Sequence, residues 1–170
     1  MWYFHNACAA TELAPTQSML SHERTALKKK VVIVEDDADF RTLVRMMLAG
    51  DDLEIIAIAD GTGAMDAIRQ HRPDLVILDL MLPDMNGWEI FMAMRDEAES
   101  ANIPVIILSC VGTRHDRSFG LQVARVHDYL VKPCLPSRLR ASVAAALNNE
   151  APALGGQAAT VNNRALALQN

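Results

Sequence analysis

Five short β-type runs space out the middle of this chain: VVIV (31–34), LEIIAIA (53–59), LVILDL (75–80), PVIILS (104–109) and DYLVK (128–132). Several are continuous apolar runs rather than alternating ones, which is the pattern of strands covered on both faces. The segments between them have helical period instead. Phe40, Leu43, Val44, Met47 and Leu48 fall on one stripe that Gly50 ends, and SRLRASVAAAL places Leu139, Val143 and Leu147 four residues apart. Strand alternating with helix predicts an α/β fold, a doubly wound parallel sheet with helices on both faces.

At 170 residues the chain has room for one ordinary domain. Aromatic residues are only 5%, so aliphatic side chains must fill the core. The patterned region runs over 28–148. Residues 1–27 are expected to be a flexible extension, and 149–170, rich in Ala, Asn and Gly, a flexible tail. The longest apolar runs are far short of the roughly 20 residues that span a membrane, and no basic start precedes a long apolar segment. A cytoplasmic protein without a membrane partner is expected.

Residues 31–148 carry 11 Lys and Arg against 18 Asp and Glu, a net of −7. An acidic domain with no basic stripe argues against nucleic acid as a partner. The run Lys28-Lys29-Lys30 reads as a solvated lead-in to the first strand. Cys8, Cys110 and Cys134 form no CxxC pair, so neither a disulfide framework nor a zinc site follows. Cys110 and Cys134 sit in apolar sequence and are expected to behave as small hydrophobes.

In a doubly wound sheet, ligands bind at the carboxyl ends of the strands. The first strand ends in Glu35-Asp36-Asp37, the third in Asp79, the fourth in Ser109, and the fifth in Lys132-Pro133. Three acids, a hydroxyl and a lysine thus converge from separate parts of the chain. Asp79 is expected to be exposed there, with nothing adjacent in sequence to neutralise it. Clustered carboxylates repel unless a cation joins them, and an all-oxygen cluster suits Mg2+. A carboxylate beside Mg2+ and a lysine is poised to accept a phosphoryl group, because both cations offset charge on the transferring oxygens. Asp37 precedes the first helical stretch and is better read as its N-cap.

With VVIVEDDADF, PDLVILDLMLPDMNGWEI, PVIILS and DYLVKP in place, the chain from about residue 30 to 148 resembles a response-regulator receiver domain of two-component signalling, apparently a stand-alone, chemotaxis-regulator-like one. The resemblance implies a flavodoxin-like five-stranded sheet of order 2-1-3-4-5. It implies Asp79 as phospho-acceptor, Asp36 as direct Mg2+ ligand, Glu35 acting through water, and the Met81 backbone carbonyl completing the metal shell. Ser109 takes the switch hydroxyl position, Tyr129 the aromatic switch position, and Lys132 the phosphate-pairing position before a cis bond to Pro133. The implied donor is a sensor histidine kinase or a histidine phosphotransfer protein. Phosphorylation would draw Ser109 toward the phosphate, turn Tyr129 inward, and re-shape the face of the fourth helix, fifth strand and fifth helix. A protein target, or a second copy in a phosphorylation-dependent homodimer, would bind that face. The positions that flank the attacking water correspond to Met81 and Val111; both are apolar, which predicts slow self-dephosphorylation.

Departures from the family pattern are local. Arg125-Val126 replace the usual Gly-Ala before the fifth strand, so that turn must avoid left-handed geometry or tolerate strain. Cys110 and Cys134 replace a small residue and a Phe. Leu135 is a poor cap for a helix that Pro136 opens well. His71 ends a helix, where a cation complements the dipole. Rival readings keep the same strand-end acids. A phosphorelay intermediate would return the phosphate to a phosphotransfer protein, and a pseudo-receiver would bind constitutively. A haloacid-dehalogenase-like phosphatase needs a second acid where Met81 stands. A nucleotide or flavin site would need a Gly-rich phosphate loop, for which Gly61-Thr62-Gly63 is too short.

Overall fold

The computed structural model describes residues 28–50, 52–110, 113, 118, 121 and 124–151. The expected flexible extension 1–27 and all but the first residues of the expected tail lie outside these, as does most of the segment between the fourth and fifth strands. The elements are β1 (Lys29–Val34), α1 (Ala38–Leu48), β2 (Leu53–Ile58), α2 (Ala64–His71), β3 (Leu75–Leu78), α3 (Gly87–Asp96), β4 (Val105–Ser109), β5 (Asp128–Val131) and α4 (Pro136–Leu147). The helix α4 is the fifth helical segment expected from the sequence. All five strands are parallel in the order β2-β1-β3-β4-β5, so the flavodoxin-like topology holds. Among the described residues no helix is long and apolar enough to cross a membrane.

The continuous apolar runs are buried because both faces of the sheet are covered. Successive side chains alternate across a strand. Val32, Val34, Val76, Leu78 and Ile107 therefore pack on Ala64 and Ile68 of α2 and on Ile90, Phe91 and Met94 of α3. Val31, Ile33, Leu75, Ile77, Ile106 and Leu108 pack the other way, on Val44, Met47 and Leu48 of α1 and on Leu139, Val143 and Ala146 of α4. Each fully buried aliphatic side chain contributes about 1.5–3 kcal/mol relative to exposure. β2 is one of the two edge strands and only partly buried.

The helix ends follow local chemistry. The Asp37 carboxylate accepts from the backbone N–H groups of Asp39 and Phe40, as the N-cap reading requires. Gly50, at φ +93°, turns the chain after α1. Arg69 and His71 occupy the last turn of α2, and Pro136 opens α4 behind Leu135, which provides no side-chain cap. Arg125 takes the strained alternative: its φ is +55°, in the left-handed region where a glycine would sit freely. Cys110 departs from expectation. It is exposed, because it lies just past the buried end of β4, whereas Cys134 is half-buried against Leu139 and its neighbours. Burial pushes the Cys134 thiol up from its ordinary value.

Candidate functional site

The parallel register places the carboxyl ends of β1 and β3 side by side, with Val34 opposite Leu78. The next residues, Glu35 and Asp79, stay tied to the sheet: the Glu35 N–H donates to the Ile58 carbonyl at 3.1 Å and the Asp79 N–H to the Val34 carbonyl at 3.0 Å. Their carboxylates thus lie together, and with Asp36 each offers an oxygen within 4.8 Å of the others. Asp36 is exposed at the mouth.

Asp79 is not exposed. It is 4% accessible, and Glu35 is 3%. The reason is Lys132, which follows β5 and whose N–H donates to the Ser109 carbonyl at 2.9 Å. Its ammonium reaches across the strand ends to Asp79 Oδ2 at 2.6 Å and to Glu35 Oε2, closing over both acids with only 9% of its own side chain exposed. The neutralising partner missing from the local sequence comes from 53 residues away. The Lys132–Pro133 bond is cis. Burial works against the Lys132 charge, yet the hydrogen bonds and charges of Asp79 and Glu35 outweigh it and hold the ammonium above its ordinary pKa. Burial raises the Glu35 carboxyl, helped by the Asp79 charge and opposed by Lys132.

The loop after β3 is shaped around the same acid. The Met81 N–H donates to Asp79 Oδ1 at 3.1 Å, and Met81 itself bridges to Asn86. Met81 is 61% exposed; Val111, its expected partner beside the attacking water, lies outside the described residues. Asn86 caps α3 by accepting from the Trp88 N–H. Asp84 reaches the opposite loop, where its carboxylate accepts from the N–H groups of Gly61 and Thr62 at 3.0 and 2.8 Å. Those N–H groups hold Asp84 below its ordinary pKa. The Gly63 N–H donates to Asp60 Oδ1 at 2.7 Å, so the Gly61-Thr62-Gly63 amides hold carboxylates of the chain itself, which fits the reading that they form no phosphate loop.

Ser109 is fully buried at the end of β4, opposite Val131 of β5. Tyr129 pairs with Ile107 and is 1% exposed, its ring inside the cluster that faces α2 and α3. Two participants escaped the sequence reading. Arg41, one turn into α1, donates to the Glu35 and Asp36 carbonyls, both at 2.6 Å, and pins the acidic turn. Phe40, read only as part of the α1 stripe, lies with its ring centroid 4.3 Å from the Lys132 Nζ. An arginine and an aromatic within a turn of the acids was the available signal; for Asp84 no spacing signal existed.

Residues 31–144 match the response regulator receiver domain family. The DNA-binding response regulator MtrA of Mycolicibacterium paratuberculosis is 36% identical over 129 residues, 75% of this chain and 56% of that protein. The chain thus spans about half the length of such curated relatives. The BeF3-activated N-terminal receiver domain of Klebsiella pneumoniae RstA superposes with a TM-score of 0.64 at 28% identity, covering 70% of this chain and 98% of that one. The Mn2+-bound form of response regulator Rcp1 does so at 0.59 and 27% identity, covering 69% and 91%. The acidic pocket of Glu35, Asp36 and Asp79 is typical of phospho-accepting response regulators and is consistent with a divalent metal. The sheet order, the pocket at its carboxyl edge and the match over two thirds of its length agree: the chain belongs to the response regulator receiver domain family.

Proposed function

We propose that Asp79 accepts a phosphoryl group from the phosphohistidine of a sensor histidine kinase or histidine phosphotransfer protein. Receiver domains are signalling switches rather than conventional enzymes, and histidine kinases are their partners. The observation that carries the reading is the trio of carboxylates within 4.8 Å, two of them buried under one lysine. Three carboxylates against one ammonium leave a negative excess in a poorly solvated crevice, and an all-oxygen donor set with one exposed member fits a hard dication. Asp36 and Asp79 would hold Mg2+ directly, Glu35 through water, and the Met81 carbonyl would complete the protein's share. Bound there, Mg2+ supplies charge that offsets the negative charge on the phosphoryl oxygens.

The rest is the work of the chain. An Asp79 carboxylate oxygen forms a bond to phosphorus while the donor's P–N bond breaks and its electron pair returns to the imidazole nitrogen. Lys132, already on Asp79 Oδ2, pairs with the incoming phosphoryl oxygen. The Ser109 hydroxyl moves toward that oxygen, and Tyr129 serves as the aromatic switch. The two states differ in local charge at Asp79, and that difference shifts their populations. The altered face, around β5 and α4, meets a protein target or a second copy of the chain. DNA binding is stated in the name of MtrA; the net −7 of residues 31–148 favours a protein surface as the target of this domain.

Intact mass after incubation with acetyl phosphate, with and without Mg2+, on wild type and Asp79→Ala tests this. The expected result is one added phosphoryl group that requires both Mg2+ and Asp79, and that decays slowly because Met81 and Val111 are both apolar. If neither acetyl phosphate nor a cognate kinase gives an adduct, the domain is a constitutive binding module instead. Return of the group to a phosphotransfer protein would mark a relay.

A further inference from the structure

The Lys132 ammonium is held on three sides. Two are the carboxylates of Asp79 and Glu35; the third is the face of Phe40, with its centroid 4.3 Å from Nζ. That distance is well inside the roughly 6 Å at which an aromatic quadrupole attracts a cation. The contact is imposed by the fold. Asp37 caps α1, which fixes the helix start, and three residues later Phe40 is half-buried against the α1–α4 face of the sheet. Arg41, its neighbour, anchors the same turn to the Glu35 and Asp36 carbonyls.

The chemistry of that third side matters. A ring face draws the cation but offers no charge and no lone pair, so it leaves the N–H groups of Lys132 to oxygen acceptors. When a phosphoryl group arrives on Asp79, the lysine must exchange a carboxylate oxygen for a phosphoryl oxygen without leaving the crevice. A carboxylate or amide in the place of Phe40 would compete for those N–H groups; an aliphatic side chain would remove the third restraint and leave only the two carboxylates, one of which must let go.

We propose that Phe40 is a positioning residue for the reaction at Asp79: its ring keeps the Lys132 ammonium over the acceptor while the oxygen partners of the lysine change. This rests on the phospho-acceptor reading of Asp79 for its kinetic consequence, whereas the ring–lysine contact stands apart from it.

The test uses the full chain with Phe40→Leu, Phe40→Met as a second apolar replacement should leucine fold poorly, and Phe40→Tyr as the variant that keeps a ring face. Two readouts are followed: the side-chain methylene resonances of Lys132 by NMR without any phosphodonor, and the rate constant for phosphorylation by saturating acetyl phosphate with Mg2+. In wild type and Phe40→Tyr the Lys132 resonances carry a ring-current shift. In the aliphatic variants that shift is lost and the rate constant falls about tenfold, the size of a partly desolvated cation–π contact. Retention of the resonance position in both aliphatic variants overturns the proposal. So does a wild-type rate constant once the shift has gone. If wild type accepts no phosphoryl group from any donor, it is the Asp79 reading that fails, and with it the kinetic consequence, while the resonances still decide whether the Phe40 ring lies on the lysine.

Discussion

Gly87 stands where any side chain would collide with the backbone that presents the acceptor. A Cβ built there would lie 2.2 Å from the Asp79 carbonyl oxygen and 2.8 Å from the Leu80 Cα. Both contacts are with backbone, so no rotamer change relieves them. Alanine favours a helix over glycine by about 1 kcal/mol, and Gly87 is the first residue of α3. The collision is expected to outweigh that gain. Gly87→Ala should lose about 1–3 kcal/mol in urea unfolding, the range of overpacked sites, and should slow phosphorylation at Asp79 because the β3–α3 loop must move. Equal or greater stability in the variant would show that the loop yields freely. At this scale the sequence was informative where the cause is local: the Asp37 cap needs only the residues that follow it. The burial of Asp79 was illegible because Lys132, which covers it, arrives from the far edge of the sheet.

Elements were legible to the extent that both of their faces report. β1, β3 and β4 are buried on two sides, so unbroken apolar runs marked them. Their ends were less so: LVILDL reads as strand through Leu80, but β3 stops at Leu78 because the chain there turns to wrap Asp79 and Met81. The strand order came from the family resemblance rather than from any pattern in the residues, since periodicity says nothing about which strands are neighbours. The start of α4 was read correctly and carries a consequence. Leu135 is 71% exposed, in extended backbone, and gives the first N–H groups of α4 no side-chain acceptor. A serine at an N-cap gains about 0.5–2 kcal/mol over an apolar residue. Leu135→Ser should therefore raise the urea midpoint of the domain, with an unchanged denaturant slope. A lower midpoint would mean that the leucine packs on something more valuable than the cap. Arg125 is the opposite case, a left-handed turn made without glycine, where the departure from the family pattern was visible and the strain it brings is now seen.

For the whole molecule, two groups at the amino edge of the sheet contribute to the response to acid. His127 leads into β5, its N–H donating to the Val105 carbonyl at 2.8 Å, and its buried Nε2 has no hydrogen-bond partner among the described residues. Burial lowers its pKa from 6.5, against the raising effect of Asp128. The unfolded chain therefore binds a proton at His127 before the native state does. The stability this histidine contributes is complete above pH 6.5 and is lost as pH falls from there toward its folded pKa. Asp74 at the same edge acts at lower pH. Burial works to raise its carboxyl, but the Lys29 ammonium at 2.8 Å and the Lys30 N–H at 2.9 Å hold it below 3.8, so its contribution persists until pH falls beneath that value. Glu35, raised by burial, has the opposite sign: its native carboxyl keeps a proton that the unfolded chain has released, which lowers stability as pH rises above 4.5. Comparing wild type with His127→Leu separates these, because every other group cancels in the difference. The gap in unfolding free energy between the two should change as pH falls below 6.5, by at most about 1.4 kcal/mol per pH unit, with the variant losing less. Parallel stability curves between pH 7.5 and 5.5 would mean that His127 titrates alike in the folded and unfolded chain, and that the acid response belongs to the other titratable groups.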